Sequence, residues 1–275
     1  MTSPTSPALE RQAADPPQAS PFPTITLIVP ALNEEKLIVE TVNQIVGVTE
    51  GRFADFEVIL VNDGSTDATG RLMDELAAQN PRIRVLHNPR NIGLGSSYHL
   101  GMTHARYEYV MLLCGDGGMP ASSLPAIFDK IGSADIVVPY CTNLKDIKGP
   151  GRYLLSRTYT GLLNTLFGLR LKYYNGLPVH RTALVRSVRG KSDGFGFQAE
   201  ILVQLLRAGR SYVEVGVLGA EKANRSSALK LKNVVSVTRT LARLLRVTFL
   251  TKSAARASQS APAEGVRALR ITHKS

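Results

Sequence analysis

The run LLCGDGGMP, residues 112–120, sets a single carboxylate, Asp116, at the end of an apolar stretch, among Gly115, Gly117 and Gly118 and ahead of Pro120. An acid carried from a strand into a glycine-rich turn is open to a ligand, and the glycines let backbone come close to that ligand. The chemistry such an acid can do is to hold a hard cation against phosphate oxygens. Magnesium takes one or two carboxylates, substrate phosphates and several waters. Metal–diphosphate sites usually show at least two acids. Here Cys114 occupies the partner's place, and a soft thiolate suits other metals. The stretch reads as a reduced metal site with Asp116 as its ligand; a plain turn is the alternative. Two more stretches carry an apolar run into polar residues: IVPALNEE (28–35) reaches Asn33 and Glu34, and VILVNDGSTD (58–67) reaches Asp63. A buried carboxylate such as Asp63 can accept from the N–H of a nucleotide base.

Hydrophobic patterning gives the elements that must hold these residues. Residues 24–30, 56–62, 83–87, 109–114 and 134–140 are β-branched or apolar runs bounded by turn residues, and each reads as a strand. A helix is expected over 34–46, and another after DGSTD with Ser65 or Thr66 as its cap. NPRNIGLGSSYHLGMTHA (88–105) reads as a glycine-rich turn entering a helix; its spacing does not fit a dinucleotide fingerprint. His99 and His104 are expected on the surface of that helix. Strands alternating with helices imply an α/β fold, a doubly wound and mostly parallel sheet with flanking helices. Ligands of such sheets bind beyond the carboxyl ends of the strands, where Asn33, Glu34, Asp63 and Asp116 fall.

Charge divides the chain. Residues 23–150 hold 10 Lys and Arg against 15 Asp and Glu, whereas residues 151–252 hold 18 against 4. The basic half should face phosphate, nucleic acid or a lipid headgroup surface. Residues 1–22, rich in Pro, Ser and Ala, read as a disordered leader without the pattern of a signal peptide, and 253–275 as a flexible tail. Cys114 and Cys141 suggest a reducing compartment, with no disulfide framework and no zinc spacing. In residues 229–252, Lys232, Arg239, Arg243 and Arg246 fall close to one helical face, with Val234, Val237, Leu241, Leu244, Leu245 and Val247 over much of the rest. This is a basic amphipathic helix suited to an anionic membrane surface, or else a helix packed on the domain with a solvated stripe.

The ordered set IVPALNEE, VILVNDGSTD, NPRNIGLGSSYHLGM (88–102) and YVMLLCGDGGMP (109–120) resembles the family 2 glycosyltransferases of the GT-A fold. LLSRTYTGLLNTLFGLRL (154–171), GFGFQAEILVQLLRAG (194–209) and YVEVGVLGAEKANRSS (212–227) resemble the dolichyl- and polyprenyl-phosphate sugar synthases within it. The resemblance implies a GT-A domain over 23–228, with a nucleotide-sugar half (24–140) and an acceptor half (141–228). It implies that Pro30, Leu32, Glu34 and Asp63 line the nucleotide, and that Asp116 is the last acid of the metal pair, holding Mg2+ or Mn2+. It places Arg157, Lys222 and Arg225 at the acceptor phosphate, and Phe197 and Glu200 in the Phe-x-x-Glu helix, with Asp116, Arg157 and Glu200 as the catalytic set. Cys114 and Gly118 depart from the pattern at the metal, and Lys222, Arg225 and Ala228 depart in the last motif.

The activity implied by this resemblance is that of an inverting transferase taking a nucleotide sugar to a polyprenyl phosphate, peripheral at the cytoplasmic face of the membrane. Three alternatives stay open. A soluble hydroxyl acceptor would need a base, Asp193 or Glu200. A non-catalytic nucleotide-sugar binder would fit Cys114 and Gly118. Nucleic-acid binding rests on charge alone, without a motif or aromatic platform, so no nucleic-acid partner is expected. Glu200 has a plainer reading too, as the ion-pair partner of Arg207.

Overall fold

The computed structural model describes residues 23–188 and 196–219. Its strands are β1 (Thr24–Ala31), β2 (Asp55–Asn62), β3 (Ile83–His87), β4 (Tyr109–Leu112), β5 (Ile136–Cys141), β6 (Val179–Arg181) and β7 (Tyr212–Val217). Its helices are α1 (Ile38–Thr49), α2 (Thr69–Gln79), α3 (Leu94–His104), α4 (Leu124–Phe128), α5 (Leu144–Ile147), α6 (Pro150–Phe167), α7 (Thr182–Ser187) and α8 (Phe197–Arg207). The strands form one sheet in the order β3-β2-β1-β4-β6-β5-β7. β1 runs parallel to β2 and β4, β2 to β3 and β5 to β7, while β6 is antiparallel to β4 and β5. The expected mostly parallel, doubly wound sheet is what the chain forms.

Near-continuous apolar strands arise because both faces of the sheet are covered. Successive side chains point to opposite faces. Leu27 and Val29 therefore join Val58 and Leu60 under Ile38 and Val42 of α1 and Met73 of α2. Ile28 joins Ile59 and Val61 under Tyr98 of α3, Phe167 of α6 and Leu202 of α8. Each such fully buried side chain contributes about 1.5–3 kcal/mol relative to exposure. Gly101 brings α3 down onto β1: a Cβ there would lie 2.5 Å from Ile28 Cγ2. α6 ends at Gly168, left-handed at φ 66°, and Arg207 Nη1 donates to the Phe167 carbonyl at 2.9 Å. Arg207 thus finishes a neighbouring helix, and the expected Glu200–Arg207 ion pair does not form.

The chain winds β1-β2-β3 in one direction and then returns to put β4 on the other side of β1. The crevice at this reversal is the favoured ligand position in an open sheet. It is flanked by the loops after β1 and β4, which carry Glu34 and Asp116. Two strands go beyond the five that patterning locates. β6 has three residues, too few to show alternation, and β7 pairs at the sheet edge. β6 joins the two halves, because His180 stands opposite Val110 of β4 and Ile136 of β5. His180 is buried, neither ring nitrogen finds a hydrogen-bond partner among the described residues, and burial pushes its pKa down to about 3. The leader, the amphipathic segment 229–252 and the tail lie outside the described residues. Among those described, no helix is long and apolar enough to cross a membrane.

Candidate active site

The loops leaving β1 and β2 are fastened to each other. Asn33 adopts φ 56°, a left-handed conformation that asparagine tolerates better than most residues. Its Oδ1 accepts from the Thr66 N–H at 2.8 Å, and its own N–H donates to Ser65 Oγ at 3.1 Å. The Glu34 N–H donates to Thr69 Oγ1 at 2.8 Å, and the Ala68 N–H donates to Glu35 Oε2 at 3.1 Å. The sequence led to Ser65 or Thr66 as the helix cap; neither is one, because their polar atoms serve this clasp. α2 starts later, at Thr69, whose N–H donates to Asp67 Oδ1 at 3.0 Å. Burial raises the Asp67 carboxyl, but hydrogen bonds from Thr69 and from the Glu35 N–H outweigh it and hold the pKa below the ordinary value. Turns at Glu34 likewise delay α1 to Ile38. Pro30 is buried within β1, Glu34 is half-buried, and Leu32 is 37% exposed at the mouth of the loop.

Asp63, buried at the end of β2, already has donors. Its Oδ1 accepts from Asn88 Nδ2 at 3.1 Å and from the Ile92 N–H at 2.9 Å, and its Oδ2 accepts from the Gly93 N–H at 3.0 Å. A carboxylate offers about four acceptor positions, so three donors leave capacity for a base N–H. Gly64, at φ 75°, allows the turn to close, since a Cβ there would meet the Arg90 backbone at 2.4 Å. Asp63 therefore shapes the glycine-rich turn. Asn88 is a member of this arrangement that sequence reasoning missed, whereas Asn33 is one it places at the ligand end of the sheet. For Asn88 the only signal was its place after β3, at the head of the NPRNIGLG turn.

β4 stops at Leu112, two residues sooner than expected, and the chain bends with the Gly115 N–H donating to the Pro30 carbonyl at 3.2 Å. Gly115 is required by closeness: its Cβ would lie 2.7 Å from the Ala31 Cβ. Gly117 is left-handed at φ 65°, and the Gly118 N–H donates to Asp116 Oδ1 at 3.0 Å. The turn thus orients a half-buried carboxylate beside the crevice. Among the described residues no group of three or more His, Cys, Asp or Glu could hold a metal ion. Asp116 is a hard oxygen donor, and one carboxylate fits a magnesium-type ion carried mainly by substrate diphosphate. Cys114 adds no suitable ligand.

Not every buried acid belongs to this edge. Glu57, at 0% exposure, accepts from Thr26 Oγ1 at 2.9 Å and from the Arg106 N–H and Nε at 2.8 and 3.0 Å. It is a structural carboxylate, set towards the amino-terminal ends of β1 and β2.

At the carboxyl end of β5 a cleft of ≈ 320 Å³ opens between Tyr140–Thr142 and α6. Arg157 lines it with Tyr153, Ser156 and Thr160, residues spaced to share one face of α6. Lys145 and Lys172 join them, and among the described residues no carboxylate lines the cleft. The sequence reading found Arg157 but not the two lysines. Their only trace is that residues 147–192 contain no Asp or Glu. Lys222, Arg225 and Asp193 lie outside the described residues; the chain is followed to Gly219, whose N–H donates to Asn143 Oδ1 at 2.9 Å. Glu200 sits in the first turn of α8 at 1% exposure, and Phe197 packs 5.1 Å from Tyr98. His104 is exposed as expected. His99 is instead half-buried, its ring 6.1 Å from that of Phe197, because α8 covers this side of α3.

Comparison with known proteins agrees with this architecture. The chain is 26% identical over 229 residues to an undecaprenyl-phosphate mannosyltransferase of Micrococcus luteus, covering 78% of this chain and 93% of that protein. It is 33% identical over 131 residues to a dolichyl-phosphate β-glucosyltransferase of Trichomonas vaginalis, a match covering 43% of this chain and only 39% of that relative. Its fold superposes at a TM-score of 0.62 and 20% identity on glucosyl-3-phosphoglycerate synthase of Mycobacterium tuberculosis, a structure holding Mg2+ and UDP, over 81% of this chain and 79% of that one. Residues 26–188, more than half of the chain and including every loop that carries the acids described above, match the profile of glycosyl transferase family 2, and the chain belongs to that family.

Proposed function

We propose that the protein transfers a sugar from a nucleotide-sugar donor to a polyprenyl phosphate, with inversion, at the cytoplasmic face of a membrane. One observation carries this reading. The sheet edge that presents Glu34, Asp63 and Asp116 also bears, at the end of β5, a cleft with Arg157 and, among the described residues, no carboxylate. The acids suit a base, a ribose and a metal-bound diphosphate, and the cation suits a second phosphate. Similarity along 93% of the undecaprenyl-phosphate mannosyltransferase supports the choice of acceptor.

In this reading Leu32 and the Asn33 loop border the base, and the remaining acceptor capacity of Asp63 takes a base N–H. Mg2+ or Mn2+ at Asp116 would supply positive charge to the departing diphosphate. Arg157 holds the acceptor phosphate, whose anionic oxygen attacks the anomeric carbon. The bond from that carbon to the diphosphate breaks, the nucleoside diphosphate leaves with the electron pair, and a single displacement inverts the centre. A phosphate nucleophile is ionised near neutral pH, so no general base is needed, consistent with Glu200 being buried. Residues 229–252 would hold the protein on anionic lipid, each Lys or Arg there contributing about 1 kcal/mol.

The test is a panel of nucleotide sugars with and without short-chain polyprenyl phosphate. Sugar transfer to the lipid supports the proposal; transfer only to soluble hydroxyl acceptors overturns it. Sedimentation with anionic vesicles at low salt, lost on replacing Arg239, Arg243 and Arg246 by glutamate, tests the membrane part. A protein that stays in solution with such vesicles sinks that part alone.

A further inference from the structure

The cleft at the end of β5 holds more positive charge than one arginine requires. Lys145 comes from α5, Arg157 from α6 and Lys172 from the segment between α6 and β6. Among the described residues no ion pair joins any of the three to a carboxylate. Like charges gathered in one cleft repel, and an anion relieves that repulsion.

Lys172 is held at both ends. Its backbone N–H donates to Glu214 Oε1 at 2.7 Å, and its ammonium lies 4.3 Å from the centre of the Tyr140 ring. A ring face orients an ammonium without neutralising it, so the charge stays available to a ligand. The neighbouring Tyr173 is fixed as well, its hydroxyl accepting from Lys148 Nζ at 3.1 Å. Gly176 lets the following turn lie directly against β5, since a Cβ there would overlap the Pro139 carbonyl oxygen. A guanidinium fork and a point-charge ammonium, together with the Ser156 hydroxyl, match the several oxygens of a dianionic phosphate monoester.

We propose that Lys172 is a second cation for a phosphate monoester, forming with Arg157 the seat of the acceptor's phosphate. This rests on the reading of the cleft as the acceptor side. The same chemistry could come from a prenyl phosphate or from a small soluble phosphate ester, and the experiment separates the two.

Wild-type full-length protein, Lys172→Met and Lys172→Arg are titrated calorimetrically with a short-chain polyprenyl phosphate and with glycerol 3-phosphate. Methionine keeps the stem on the Tyr140 ring and removes the charge; thermal melting confirms folding, and Lys172→Gln serves if it does not. The expectation is that Lys172→Met binds phosphate esters about tenfold more weakly or worse, with a shallower salt dependence, and that Lys172→Arg recovers most of the loss. In turnover the KM for acceptor should rise while the KM for nucleotide sugar stays fixed. Binding of the prenyl ester alone identifies a lipid headgroup; equal binding of glycerol 3-phosphate identifies a seat that reads phosphate only. Unchanged affinity in Lys172→Met, or no binding of either ester by the wild type, overturns the proposal. If phosphate binding depends on Lys172 but no polyprenyl phosphate is glycosylated, the seat stands and the proposed function falls. Turnover on the lipid with an acceptor KM indifferent to Lys172 does the opposite: the function stands and Lys172 is removed from the seat.

Discussion

The loops proposed to hold the nucleotide and the cleft proposed to hold the acceptor phosphate lie at the same end of the sheet but are built differently. In the first, polar groups are engaged with one another: Asn33 with Thr66, Glu35 with Ala68, and Asp63 with Asn88, Ile92 and Gly93. In the second, Lys145, Arg157 and Lys172 line an open cleft that holds no carboxylate among the described residues. Binding and stability are therefore coupled in one half and separable in the other. A base and ribose need fixed hydrogen-bond geometry, which a preformed network supplies. A phosphate needs charge, and charge acts over a distance that tolerates looser positioning.

Five substitutions probe this contrast. The largest effect is expected at Asp116. Asp116→Asn should lower turnover by on the order of 10²-fold or more while melting stays near the wild type, because the turn keeps an acceptor for the Gly118 N–H. EDTA should act in the same direction, and Cys114→Asp should keep or raise activity. Turnover indifferent to both Asp116→Asn and EDTA would assign the diphosphate's countercharge to the basic half.

Asp63→Ala should damage fold and binding together. Removing the acceptor leaves the Ile92 and Gly93 N–H groups and the Asn88 amide unsatisfied, a loss of about 2–3 kcal/mol in stability, with nucleotide affinity falling by about 1–3 kcal/mol. Denaturant melts and calorimetry measure the two. Weakened binding with full stability would show that the turn orders itself without Asp63.

The join between the halves should be acid-sensitive. His180 has its folded pKa depressed to about 3 from an ordinary 6.5. The unfolded chain therefore takes the proton first as pH falls, and stability present above about 6.5 is lost on the way down towards 3. The slope is at most about 1.4 kcal/mol per pH unit. Asp55, Asp67 and Asp135, whose pKa values are lowered from 3.8, lose their contributions only at lower pH, below the interval between about 4.5 and 6.5 in which His180 acts. His180→Leu should flatten stability against pH in that interval and be neutral or stabilising at pH 7. An unchanged pH profile would place the sensitivity elsewhere.

The smallest effect is expected in the open half. Arg157→Gln should raise the acceptor KM by about tenfold, leaving melting temperature and nucleotide-sugar KM unmoved. A large fall in stability would mean that the cleft is as tightly networked as the nucleotide side, and the contrast would fail.

Two features were legible in the order of residues alone: the alternating strands and helices, and the sheet edge to which Glu34, Asp63 and Asp116 are brought. These are local facts: apolar runs of strand length, turn residues at their ends, and acids placed just after them. Long-range packing was needed to assign Ser65 and Thr66 to Asn33 rather than to α2, to set Arg207 at the end of α6 rather than beside Glu200, and to bring Lys145 and Lys172 to Arg157. Each of these depends on segments far apart in the chain, where a polar group takes whichever partner packing brings within reach. β6 belongs with them, since three residues carry no periodicity and become a strand only because β4 and β5 leave a gap for them.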